Sequence, residues 1–183
     1  MTWTPNVITG FDINLSAGTL TMGADAVVDV FSSTASISVN NTSVLNINES
    51  MTLDGARLVR LTNADVNLAA GKTLRIQNGG DFEVTGTFTH NTAATIAVTG
   101  AGSTLTTTST LAIQSGATLS VLAGGSASSG GQFNVATSGG DGTVTVDGAG
   151  SLLDATGFTT LGLNGLSASV TFSNGSSGVF AHG

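Results

Sequence analysis

Residues 95–105, Thr-Ile-Ala-Val-Thr-Gly-Ala-Gly-Ser-Thr-Leu, return at 143–153 as Thr-Val-Thr-Val-Asp-Gly-Ala-Gly-Ser-Leu-Leu, an offset of 48 residues (143 − 95). Each copy places apolar side chains two apart, Ile96 and Val98 in one and Val144 and Val146 in the other. That spacing buries one face of an extended strand and leaves the other to Thr, Ala or Asp. The Gly-Ala-Gly-Ser that follows is turn chemistry. Self-similarity at a fixed period, carried by strand-and-turn units, is the signature of a solenoid built from β-strands.

The alternation runs through most of the chain. Ile13/Leu15, Leu20/Met22, Val28/Val30, Ile37/Val39, Leu45/Ile47 and Met51/Leu53 follow one another with Gly, Asn, Ser, Asp or Ala between them. Val59/Leu61, Val66/Leu68, Leu74/Ile76 and Phe82/Val84 continue the series, as do Leu111/Ile113, Phe133/Val135 and Leu161/Leu163 in the second half. Equivalent strands there begin their apolar pairs at 96, 119, 144 and 170, steps of 23, 25 and 26 (119 − 96, 144 − 119, 170 − 144). About three short strands therefore complete a coil of roughly 24 residues, and the 48-residue repeat is two coils.

The expected fold is all-β, a right-handed parallel β-helix, with coils ~4.8 Å apart. An antiparallel sandwich or jelly roll also consists of many short strands, but nothing in it demands a sequence repeat. Residues 1–10 do not alternate cleanly; 1–18 read as an N-terminal cap or junction segment, and 19–183 as the solenoid repeats. Segment 123–131, Ala-Gly-Gly-Ser-Ala-Ser-Ser-Gly-Gly, lacks large apolar residues and reads as a loop at one corner.

Charge narrows the partners. A formal net charge of −7 with four Lys and Arg in 183 residues opposes nucleic acid. No apolar run approaches the ~18 residues of a membrane helix, so membrane insertion is not expected. The chain has no cysteine, which removes thiol chemistry and leaves the compartment open. Met-Thr-Trp-Thr-Pro-Asn does not read as a secretory leader, so the expectation is a mature chain or a segment of a longer one.

From 95 to 183 the pattern Val-x-Gly-Ala-Gly-Ser-x-Leu, then a Leu-x-Ile or Leu-x-Leu strand (Leu111 to Ile113; Leu161 to Leu163), then Ser-Val-Thr-Phe with Asn174-Gly175-Ser176, resembles the passenger repeats of bacterial autotransporter-type surface proteins. The first half shares only the rhythm. The resemblance implies a secreted or cell-surface β-helical rod, and it names no ligand.

Chemistry is sparse. Asp81 and Glu83 flank inward Phe82 and are expected to share an outward face, a solvated pair rather than catalytic carboxylates. Asp25 with Asp29 is a second such pair. Gly139-Gly140-Asp141-Gly142 with Asp147 departs from the calcium-binding nonapeptide and reads as turns. His90 and His182 are isolated, so neither metal nor cofactor is expected. The cations Arg57, Arg60, Lys72 and Arg75 lie within 19 residues (75 − 57 + 1), balancing nearby acids or forming a charged docking patch for acidic glycan or for the acidic remainder of another copy. Outward Thr and Ser show no Thr-x-Thr recurring at every coil, which weighs against an ice-binding surface. Trp3, Val179 and Phe180 are candidates for self-association or capping.

The leading expectation is a non-catalytic extracellular structural protein: a shaft segment of an adhesin, or a self-assembling surface filament subunit. It would join copies of itself end to end, or the rest of a longer surface protein. A glycan-binding adhesin or phage-fibre module, contacting glycan or a host surface through Trp3, Phe31 or Phe88, is the alternative. A polysaccharide-degrading β-helix enzyme ranks below both.

Overall fold

The computed structural model describes residues 2–3, 7–9, 12–23, 26–29 and 36–181, with side chains for 12–23 and 36–181. Asp25, Phe31 and His182 lie outside the described residues, and so does the side chain of Trp3. Among the described residues there is no helix. Every strand pairing among them is parallel, in a stack of about seven turns.

Each coil contributes one strand to each of three faces. The first face has eight strands, from Val7–Thr9 to Ala168–Ser173, and the second has eight, from Ile13–Leu15 to Ser177–Phe180. The third face is two separate four-stranded sheets, one ending in Asp65–Leu68 and the other beginning at Phe88–His90. Thr2–Trp3, Val7–Thr9 and Ile13–Leu15, in the stretch read as a cap, ladder onto the coil that follows them.

Stacking puts like on like. Leu53, Ile76, Val98, Val121, Val146 and Phe172 form one inward file on the first face, and Met51, Leu74, Ile96, Leu119, Val144 and Val170 the next. Most of these are fully buried in one continuous core, and each large side chain so placed contributes ~1.5–3 kcal/mol relative to exposure. Phe82 and Phe88, on adjacent faces of one coil, meet edge to face with centroids 5.2 Å apart, the arrangement aromatic quadrupoles favour.

The corners explain why the repeat spans two coils. Gly100-Ala-Gly-Ser103 and Gly148-Ala-Gly-Ser151 alternate with shorter corners at Asn78-Gly79-Gly80, Ala123-Gly124-Gly125 and Asn174-Gly175-Ser176. In the long corners the serine turns inward and is fully buried. Ser103 Oγ accepts from the Gly79 amide (3.2 Å), and Ser151 Oγ accepts from Gly124 (2.9 Å) while donating to the Asp147 carbonyl (2.6 Å). Each long corner is thereby fastened to a short one beneath it.

Three local expectations are corrected. Segment 123–131 is not a loop: Ser126–Ser129 is a second-face strand with Ala127 and Ser129 inward. Small residues carry its alternation, and the same coil supplies the fully buried Phe133. The pair Val59/Leu61 is shifted by one. Leu58 is the core residue, stacked between Ile37 and Phe82, and Leu61 is exposed. The strand near 161 is Thr159–Leu161, so Leu163 falls beyond it.

Candidate functional site

The four cations do not converge on one face. Arg57 and Arg60 bound a second-face strand, Lys72 lies in a corner, and Arg75 is exposed on the first face between Thr52 and Ala97. Arg57 bridges Asp81 (3.6 Å) and Glu83, and Lys72 pairs with Glu49. Asp81 and Glu83 both face outward. Partial burial holds the Asp81 carboxyl above its usual range, with Glu83 adding to the effect and the Thr104 hydroxyl and Arg57 opposing it. Asp147 is the reverse case, drawn below its usual range by hydrogen bonds from Ser173 Oγ and Asn174 Nδ2, both at 2.6 Å. Asp141 accepts from the Ser167 amide (2.7 Å). Among the described residues no three of His, Cys, Asp and Glu gather into a metal-holding group.

Arg60 is the unusual cation. Its register places it in an inward file, between Val39 below and Val84 above. A guanidinium cannot stay unpaired there. It turns along the corner, donating from Nε to the Ala64 carbonyl (2.6 Å) and from Nη1 to the Thr87 carbonyl (2.9 Å) in the next coil.

At that level the third face breaks. From Arg60 to Val66, which packs on the core, the chain takes six residues (66 − 60); from Val84 to Phe88 it takes four (88 − 84). The lower corners turn through Asn41 and Asn63 at positive φ, the upper one through Gly86. The strands on either side consequently belong to different ladders. Asp65 and Ala69 donate downward, to Ser43 and Ile47, whereas Phe88 donates upward, to Thr110. By the alternation of a parallel strand, Val66 and Leu68 below and Thr89 above turn backbone groups toward each other across the gap.

Two side chains tie the margins of the gap. Arg60 holds the Thr87 carbonyl at one end, and Thr92 Oγ1 donates to the Leu68 carbonyl (2.8 Å) at the other. Between them lies a cleft of about 250 Å³ lined by Arg60, Asp65, Asn67, Thr87, Thr89 and Asn91, with Val66 and Phe88 also on its wall. A second, smaller void of about 40 Å³ lies deeper, beside Phe82, Phe88 and His90. Phe88, considered above as an exposed aromatic contact, is buried. His90 is buried as well, with Nε2 2.9 Å from the Ala94 carbonyl. Burial lowers its pKa, against the opposing effect of that hydrogen bond.

The polar side chains of the cleft were not visible as a group in the sequence. Their common signal is the change of corner type, Asn41 and Asn63 giving way to Gly86, which offsets one run of strands from the next. A further file emerges only from the register: Thr73, Thr95, Thr118 and Thr143 stack on successive coils of the first face, ending in Ser169.

At the far end of the stack the interior opens. Leu161 and Phe172, stacked on the buried Val135 and Val146, are exposed, as are Leu163 and Phe158, the last by 63%; Val179 is also exposed, but on the outer surface, stacked on the outward Asp154. Phe180 is half-buried, its ring 6.1 Å from that of Phe172 and 6.5 Å from that of Phe133. The rings of Phe172 and Phe180 lean over Gly178, which has no side chain to obstruct them. Comparison of the chain with protein-family models, with curated proteins and with solved structures finds no match to any of them.

Proposed function

We propose that this protein is a non-catalytic structural rod, an extracellular shaft segment or filament subunit whose last coil stacks on the first coil of another copy. In a longer chain a further coil takes the same place. The observation that carries this reading is the apolar terminal coil: of the six large hydrophobic residues exposed among the described residues, five lie between Phe158 and Val179. Contiguous apolar surface of that kind marks an interaction site. Its natural complement is a coil with the same inward files, because a parallel edge extends by adding a strand on each face.

The acids, cations and hydroxyls of the middle coils support a mechanical role. They are largely engaged with one another across neighbouring coils, as in Arg57 with Glu83, Thr104 with Asp81, Ser128 with Thr106 and Asn67 with Asn46. The bacterial cell surface as location rests on the resemblance to autotransporter passenger repeats.

Light scattering across a concentration series, with negative-stain imaging, tests the reading. The expected result is elongated oligomers that grow with concentration and are abolished by Phe172→Lys with Leu161→Lys, both in inward files. Compact monomers at every concentration would overturn it.

A further inference from the structure

We propose that the break in the third face is a binding site for a neutral saccharide, taking one or two sugar rings between the coil of Asp65–Leu68 and the coil of Phe88–His90. The site does not depend on end-to-end stacking, since it lies in the middle of the rod and is complete within one chain.

The lining chemistry defines the ligand class. Asp65 and Asn67 rise from the lower coil, Thr87, Thr89 and Asn91 descend from the upper, and Arg60 closes one side. Carboxylate, amide and hydroxyl groups converging on one opening suit a polyol, whose hydroxyls both donate and accept. The Asp65 carboxylate has no partner among the hydrogen bonds and ion pairs of the described residues, and it is exposed. The one cation and one carboxylate on the lining cancel, which favours a neutral sugar over a phosphate or an acidic glycan. Arg60 is moreover committed to the Ala64 and Thr87 carbonyls, leaving it poorly placed to serve as an anion clamp.

The dimensions decide against a peptide. Arg60 and Thr92 close the two ends of the gap, Thr92 on the Leu68 carbonyl itself, so the stretch left between them is at most Val66 to Leu68, roughly 10 Å at ~3.3 Å per residue. A strand adding to a sheet edge needs a longer run of ladder bonds than this. A volume of about 250 Å³ lies just below the ~300–1,000 Å³ of ordinary small-molecule sites. The unladdered backbone groups of Val66 and Thr89, both on the lining, supply further donors and acceptors.

Saturation-transfer and chemical-shift NMR on the full chain test the proposal. The probes are short oligosaccharides of glucose, galactose, mannose and N-acetylglucosamine, with oligogalacturonate as the anionic comparison and an alternating Val-Thr peptide as the strand comparison. The expected result is that at least one neutral probe binds and shifts the amides of Val66 and Thr89. Asp65→Ala with Asn91→Ala, both at exposed positions, then weakens it roughly tenfold or more, as loss of a hydrogen bond to a charged group implies. Thr118→Val on the first face leaves it unchanged. No binding by any neutral probe, binding that the double variant leaves intact, or preference for the oligogalacturonate or the peptide would each overturn it.

Discussion

His90 shows how one side chain records its surroundings. It stacks in the inward file with Ile113 and Val135, and burial favours its neutral form. A base whose pKa is lowered on folding binds fewer protons in the folded state, so stability is full above the unfolded value of ~6.5 and falls as pH drops from there toward the folded value. Melting temperatures measured from pH 8 to pH 5 are therefore expected to fall in the wild type, and less steeply in His90→Leu. An identical slope in the two proteins would contradict this assignment. Gly125 makes a steric prediction. A Cβ there would sit 2.6 Å from the Val98 carbonyl oxygen in the coil below, backbone that cannot move without disturbing the ladder. Gly125→Ala is expected to cost about 1–3 kcal/mol, the usual range for overpacking, measured by urea denaturation. Gly80 and Gly142 approach backbone as closely, so glycine at these corners reflects the coil spacing as much as turn conformation.

Among the elements, the strands flanking the gap differ from the rest in having one free side. The amides of Val66 and Leu68 are expected to exchange hydrogen at least ~10-fold faster than those of Ile96 and Val98, which are laddered above and below. Equal protection would mean that the third face is continuous. The strands as a class were legible because large apolar residues alternate, and the two-coil period because Gly-Ala-Gly-Ser recurs. The strand Ser126–Ser129 escaped because Ala127 and Ser129 give no hydropathy signal, although both face the core. Arg60 concealed the true inward file of its strand: with a cation in place of the second apolar residue, Val59/Leu61 imitated a pair and Leu58 did not. The cleft was illegible for a different reason. Asp65, Asn67, Thr87, Thr89 and Asn91 come together only when the register between coils is known, and that register depends on a two-residue change in corner length which no hydrophobic pattern reports.

For the whole molecule, stability is close to a sum over neighbouring coils, as in other solenoids. Such a stack has a continuous core, an exterior many of whose polar groups pair coil to coil, and an apolar last coil. Copies carrying a net charge of −7 each repel one another, so end-to-end association is expected to strengthen as salt is raised toward physiological ionic strength, where charges more than ~8 Å apart are screened. Light scattering at low and physiological salt checks this, and weaker association in salt would contradict it. Parallel coils in this register underlie both the core and the cleft, and the absence of native cysteine allows a clean test. Thr95 stacks directly on Thr118, within the ~4.4–6.8 Å Cα separation a disulfide spans. In the oxidised variants, Thr95→Cys with Thr118→Cys is predicted to cross-link within the monomer, and Thr95→Cys with Leu122→Cys is not; the opposite result would mean that these neighbouring strands run antiparallel.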